Sequence, residues 1–217
     1  DPTSRYHSRT FSQFLTHIGH SEKVLFMRVF IAVLVLIFSF QSWTKADDIK
    51  DFEIEGMSIG DSLLDYFSKS EIDSFKKYYY QSSRKYYRLS IGKLNLNFNE
   101  YERIDFEVKN NDSNYKLEAI NGSFDYRNNI EECYPRMKKM VGEISSSLDK
   151  SETRSYVFPY PDNAGKSDIT DFVYSTGVIR IWCTNYSKKK EEKGYADHLG
   201  VVIQSNDHFN WIANEAH

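Results

Sequence analysis

Hydrophobic and polar residues alternate through the middle of the chain. The clearest case is residues 104–108, IDFEV, in which three apolar residues alternate with Asp105 and Glu107. A period of two, with one buried and one wet face, is typical of an antiparallel sheet. We predict four strands here, at residues 86–91, 94–98, 104–108 and 115–120.

Turn-forming residues separate the other predicted elements. Asn121-Gly122 is a hairpin signal, so we predict a turn there and a strand continuing at 124–126. Residues 149–168 contain Pro159 and Pro161, which predict a long polar connection. The tail, 206–217, is predicted to hold one helical turn. Three further strands are predicted at 171–174, 178–184 and 199–204.

The hydrophobic period changes to three and four residues after position 129. The apolar positions there are Ile130, Cys133, Tyr134, Met137, Met140, Val141, Ile144 and Leu148. They predict an amphipathic helix at 131–148. Capping by Ser58 or Asp61, and then by Ser70, predicts shorter helices at 61–67 and 71–78. The predicted fold class is α+β: an antiparallel β-sheet with an N-terminal helical hairpin and one longer amphipathic helix packed on the sheet.

Residues 27–46, MRVFIAVLVLIFSFQSWTKA, have the order of parts found in an export signal. Arg28 precedes an apolar run that ends at Phe40, well short of the ~20 residues that a spanning helix requires. Thr44 and Ala46 take the small-residue positions of a cleavage site. We predict a cleaved signal peptide with the cut after Ala46, and a protein of the periplasm or secreted. An uncleaved membrane anchor is the alternative.

This signal divides the chain. Because residues 1–26 precede it and begin with Asp1, we expect Met27 to be the biological start and 1–26 to be a non-native upstream extension. Residues 47–217 then form a single α+β domain, with 23 basic and 29 acidic residues and a net charge of −6. This acidic balance argues against nucleic acid as a partner. No stable membrane span is expected after signal cleavage.

Both cysteines, Cys133 and Cys183, lie in the exported part. An even number of cysteines in an oxidising compartment favours a disulfide bond between them. Two buried free thiols are the alternative.

Few residues are arranged as a chemical site. Asp197 and His198, with His208 further on, could form an acid–base pair or part of a metal site, but a metal needs three or four converging ligands. Strand-end or surface positions are the alternative. Residues 164–167, AGKS, look like the end of a phosphate-binding loop but lack its first glycine, so we interpret them as a polar loop. We predict no catalytic residue, no cofactor and no metal site.

The best candidate for a binding surface is a group of tyrosines, because exposed tyrosine offers rigid contact area with a polar tip. Aromatic packing at a sheet edge is the alternative. The group comprises Tyr78, Tyr79, Tyr80, Tyr86 and Tyr87.

Three segments carry a family resemblance: DFEIEGMSIGDSLLDYFSKSEI at 51–72, FDYRNNIEECY at 124–134 and AGKSDITD at 164–171. Together they resemble a family of uncharacterised exported bacterial proteins from AT-rich marine bacteria. This resemblance implies export and a single domain, and it implies no activity. The order of a helix pair and then a sheet is also similar to small envelope domains, such as outer-membrane assembly lipoproteins and beta-lactamase-inhibitor proteins. The helix at 131–148 departs from that order.

These observations favour an exported periplasmic protein that is a non-catalytic binding or envelope-associated module, with another envelope protein as a candidate partner. The alternative is a periplasmic hydrolase or metal-dependent enzyme that uses Asp197, His198 and His208. The oligomeric state is not indicated by the sequence.

Overall fold

The computed structural model describes residues 48–92, 100–127, 129–147 and 151–216. These residues form one eight-stranded antiparallel sheet with the order β1-β2-β3-β4-β8-β7-β6-β5. The strands are β1 (Lys76–Tyr79), β2 (Tyr86–Gly92), β3 (Arg103–Lys109), β4 (Leu117–Asp125), β5 (Glu152–Pro159), β6 (Gly165–Val173), β7 (Gly177–Tyr186) and β8 (His198–Ser205). The helices are α1 (Lys69–Ser74), α2 (Cys133–Ser147), α3 (Lys188–Glu191) and α4 (Asn206–Asn214).

The sheet consists of two four-stranded meanders, β1–β4 and β5–β8, which meet at their last strands. Ile120 of β4 lies opposite Ile203 of β8 in the antiparallel register. Helix α2 lies between the two meanders along the chain and packs on β7 and β8. The centre of the sheet is therefore built by residues that are about 80 positions apart in sequence.

The larger cluster of buried apolar residues lies on one face of the sheet, and we call it the core. The alternation of β2, β3 and the later strands places buried residues such as Leu89, Phe106 and Ile181 on this face. The N-terminal segment and α2 cover it, and Leu63 and Cys133 are completely buried there. Polar side chains of the same strands lie on the opposite face, as period-two alternation requires.

A disulfide bond joins Cys133 of α2 to Cys183 of β7, with Cα atoms 6.1 Å apart. The predicted pairing is present, and it fixes the start of α2 to the core face of the sheet. The amphipathic helix predicted at 131–148 corresponds to α2 and to the 3-10 turn Ile130–Glu132 before it.

The N-terminal helical hairpin is not present as predicted. The first predicted helix is only a 3-10 turn, Leu63–Asp65, and the second is the six-residue α1. Ser68 caps α1, in place of the predicted Ser70: its hydroxyl accepts from the Glu71 amide, and the Glu71 carboxylate accepts from the Ser68 amide. Residues predicted as the end of the second helix form β1, because they pair with β2 at the sheet edge.

Two predictions about turns are also wrong. Residues 149–168 are not a polar connection: most of them form β5 and the start of β6. Strand β5 lies at the sheet edge and is exposed on both faces, so no apolar stripe marks it. Asn121-Gly122 lies inside β4 because Gly122 packs under the ring of Tyr101, where a Cβ would stand 2.3 Å from the ring.

Some predictions concern residues outside the described ranges. The signal segment at 27–46 and the strand at 94–98 both lie there. Within the described ranges, no helix has the length and apolar character that crossing a bilayer requires. The C-terminal helical turn is longer than predicted, because α4 extends over nine residues.

Candidate functional site

A cavity of about 590 Å³ lies on the sheet face opposite the core. We call it the sheet trough. Its floor is formed by short side chains on the two central strands, Ala119, Asn121 and Val202, and longer side chains from the outer strands form two walls. The volume falls within the ~300–1,000 Å³ that is usual for small-molecule sites. Long side chains around a floor of short ones give the sheet a concave surface.

The first wall is charged, and its side chains are held by one another. Arg88 of β2 lies opposite Glu107 of β3. The Arg88 Nε donates to Glu107 Oε1 at 2.8 Å, and its Nη2 donates to the Tyr80 hydroxyl at 2.9 Å. Tyr80 in turn donates to Glu107 Oε1 at 2.6 Å. Burial raises the pKa values of Glu107 and Tyr80.

The same arrangement of arginine, carboxylate and tyrosine occurs on the other side of the trough. Arg180 of β7 lies opposite Asp171 of β6. The guanidinium donates to both carboxylate oxygens, at 2.7 and 2.9 Å, and to the Tyr156 hydroxyl at 3.0 Å. Bidentate pairs of this kind are geometrically specific. The two clusters therefore fix the walls of the trough in place.

Arg103 is held less firmly than the other two arginines. Its side chain is 44% exposed, and its nearest carboxylate oxygen, on Asp105, is 3.7 Å from Nε. No hydrogen bond joins its guanidinium to another residue within the described ranges. The Arg103 donors are thus available to a ligand in the trough.

The second wall is largely aromatic. Trp182 lies across Gly200 of the neighbouring strand, and its Nε1 donates to His198 Nε2 at 3.3 Å. Tyr160 and Tyr186 stack with their ring planes 18° apart. Contacts with neighbouring groups thus set the orientation of these rings, so they offer pre-formed flat surfaces.

Three buried hydrogen-bond acceptors at the trough have no hydrogen-bond partner among the described residues. They are Glu107 Oε2, Asn121 Oδ1 and His208 Nε2. Two of them, Glu107 Oε2 and His208 Nε2, lie 4.0 Å from each other, which is longer than a hydrogen bond. The His208 Nδ1 lies 3.0 Å from Gln204 Oε1; since an amide oxygen only accepts, Nδ1 carries the proton and Nε2 is an acceptor. Burial, together with the charge of Arg88, lowers the pKa of His208 to about 4. Buried polar atoms normally have partners, so these three mark a place where a donor is expected.

The structure divides the predicted tyrosine surface between two faces. Tyr78 and Tyr79 are exposed, and with Tyr80 they line a second cavity of about 380 Å³ that adjoins the sheet trough. Tyr86 is fully buried against Trp211 of α4, and Tyr87, which belongs to the core, packs against the ring of Tyr79. Consecutive residues of a strand point to opposite faces, so these five tyrosines do not form one surface.

The structure does not bring Asp197, His198 and His208 together. His198 and His208 lie near opposite ends of β8, on the order of 20 Å apart along the strand. Asp197 is buried and accepts from the Tyr186 amide at 2.7 Å. Burial lowers the pKa of His198, and its Nδ1 lies 3.0 Å from the Ala196 carbonyl oxygen. In the part of the chain that the structure describes, no group of three or more His, Cys, Asp or Glu could hold a metal ion.

The AGKS segment does not form a phosphate-binding loop. Gly165 begins β6 with a φ of +134°, and a strand follows it where that motif requires a helix. A Cβ at this position would stand 2.3 Å from the Asn185 carbonyl oxygen. Close packing of β6 on β7 accounts for the glycine.

Sequence reasoning did not single out Arg103, Arg180 and Trp182. In the sequence, each of them is recognisable only as a long polar or aromatic residue at a solvent-facing position of an alternating strand. Comparison of the chain with known proteins adds no relative, because no family model, no curated protein and no solved structure matches it.

Proposed function

We propose that the protein is an exported, non-catalytic binding module and that the sheet trough receives its ligand. The observation that carries this proposal is the set of three buried, unpartnered acceptors at the trough, Glu107 Oε2, Asn121 Oδ1 and His208 Nε2. A buried polar atom without a partner costs on the order of 1–3 kcal/mol. A ligand that donates to these atoms would recover that free energy on binding.

The rigidity of the walls also supports a binding role. Arg88 and Arg180 are each held by a carboxylate and a tyrosine hydroxyl. Side chains that are already ordered lose little conformational entropy when a ligand binds. The trough is therefore suited to bind without rearrangement.

Export is supported by the order of residues 27–46 and is compatible with the Cys133–Cys183 disulfide. An enzymatic function through Asp197, His198 and His208 has weaker support. Acid–base partners act on one substrate within hydrogen-bond reach, and the two histidines lie near opposite ends of β8.

A fragment screen by NMR, with neutral, anionic and cationic compounds, tests the proposal. We expect shift changes for some fragments to cluster at the trough and to be lost in Val202→Phe, which fills the floor. Val157→Phe is the matched control, because Val157 is exposed on edge strand β5 and does not line the trough. Circular dichroism of both variants checks the fold. The proposal fails if fragments of no class perturb trough residues, or if folded Val202→Phe binds them as the wild type does.

A further inference from the structure

We infer that the ligand of the sheet trough is an uncharged, polyhydroxylated molecule, a neutral oligosaccharide. This inference rests on the proposed function and adds the chemical class of the ligand. It follows from the charge balance, the hydrogen-bonding atoms and the aromatic wall of the trough.

Three arginines and three carboxylates lie in or beside the trough, so their formal charges cancel: Arg88, Arg103, Arg180, Asp105, Glu107 and Asp171. An anion placed there would face the buried Glu107 and Asp105 carboxylates, and a cation would face the arginines. Burying a charge beside a like charge is strongly unfavourable. A neutral ligand avoids both penalties.

The trough has acceptors without a hydrogen-bond partner on Glu107, Asn121 and His208, and it has Arg103 donors that make no hydrogen bond among the described residues. Glu107 Oε2 and His208 Nε2 lie 4.0 Å apart, so one hydroxyl group can serve both. A hydroxyl group both donates and accepts. A ligand with several hydroxyls can therefore satisfy the acceptors and the guanidinium at once, which a purely accepting anion and a purely donating cation cannot do.

One wall of the trough combines aromatic rings with a charged pair. It holds Trp182, Tyr160 and Tyr186 beside the Arg180–Asp171 pair, while the opposite wall is polar. A ligand with both apolar and polar surface matches these walls. A sugar ring has this character, since its C–H groups form apolar patches between its hydroxyls. A lipid chain lacks polar groups, and it would leave the Arg103 donors without a hydrogen-bond partner.

A second cavity adjoins the trough. The adjoining cavity of about 380 Å³ shares Arg88, Arg103 and Asp105 with the trough. A ligand can continue from one cavity into the next along the same polar wall. This continuity favours a chain of sugar units over a single ring.

Isothermal titration calorimetry on the full chain tests the inference. The probes are three neutral trisaccharides (maltotriose, cellotriose and N,N′,N″-triacetylchitotriose), the anionic trigalacturonate and the cation spermine. We expect at least one neutral trisaccharide to bind with a Kd of about 1 mM or tighter, and the charged probes not to compete. Trp182→Ala should weaken binding about tenfold, the scale of one aromatic contact.

Two further variants keep the result interpretable. Arg103→Gln should also weaken trisaccharide binding, and circular dichroism checks that the variant is folded; the Arg103 side chain is 44% exposed. Tyr66→Ala is the matched aromatic control, because Tyr66 is exposed and does not line the trough; its binding should equal that of the wild type. The inference is overturned if the trough binds only a charged probe, or if no neutral trisaccharide binds while fragments still map to the trough. If no fragment and none of these probes binds at the trough, the proposed function is wrong as well.

Discussion

The indole of Trp182 lies so close over Gly200 that a Cβ at position 200 would stand 2.1 Å from its Cζ2 atom. Gly200 on β8 faces Trp182 on β7 in the sheet register. A side chain at this position would occupy the space that the indole uses. The glycine thus lets the ring lie down against the sheet, and the ring becomes the aromatic wall of the trough.

Gly200→Ala should displace the indole. We expect the free energy of unfolding to fall by about 1–3 kcal/mol, the usual cost of overpacking, with a change in tryptophan fluorescence. Urea denaturation measures the first effect. Gly92→Ala is the matched control, because nothing lies within 4 Å of a Cβ there. Equal stability of the two variants would contradict this account of Trp182.

The Arg180–Asp171 pair should stabilise the fold only while both partners are present. Arg180→Met leaves the Asp171 carboxylate buried without its bidentate partner, so we expect a loss of about 3 kcal/mol. In the double variant Arg180→Met/Asp171→Leu no buried charge remains, and much of the loss should be recovered. A double-mutant cycle by chemical denaturation measures this coupling. Additive losses would show that the two side chains act independently.

Stability should depend on pH through His208. In the folded protein burial keeps its pKa near 4, while the ordinary value is 6.5. Between these values the unfolded chain binds a proton that the folded chain does not, so the free energy of unfolding falls as pH drops from 6.5 to 4. At about 1.36 kcal/mol per pKa unit, the loss is about 3 kcal/mol.

The readout for His208 is the difference between wild type and His208→Gln, measured by urea denaturation from pH 4 to 7.5. Glu107 is present in both proteins; its Oε2 lies 4.0 Å from His208 Nε2, and its raised pKa acts in the opposite direction. We expect the wild type to lose stability relative to the variant on acidification. Parallel pH profiles would mean that His208 titrates normally in the folded protein.

The disulfide bond should contribute to stability because it closes a long loop. Its cysteines are 50 residues apart in sequence, and the chain-entropy relation then gives about 4 kcal/mol. We expect Cys133→Ala/Cys183→Ala to lose most of this. Mass spectrometry without reducing agent checks the bond, and the wild type in reducing agent is the control. Two free thiols in the native protein would contradict the pairing.

Alternation along the chain predicted the local part of the fold. It placed strands at 86–91 and 104–108 and assigned Asp105 and Glu107 to the wet face, where they line the trough. Such patterns report which face of a strand is buried. They do not report which strands become neighbours.

The sheet trough could not be predicted because it depends on long-range pairing. Its floor requires β4 beside β8, which places Asn121 opposite Val202. No local pattern encodes this contact, and the Asn121-Gly122 hairpin signal argued against it. Tyr160 of the aromatic wall follows directly after β5, whose residues are exposed on both faces and so lack a hydrophobic stripe.

The indole N–H signals of tryptophan test most directly whether the sheet trough is the ligand site. Trp182 lines the trough, whereas Trp211 is buried in α4 and donates to Ser83. In ¹⁵N-tryptophan-labelled protein, with Trp182→Phe to assign its signal, each trisaccharide is titrated in turn. The account predicts a saturable shift of the Trp182 signal while the Trp211 signal stays in place. Saturable binding by calorimetry that leaves the Trp182 signal unmoved would contradict it.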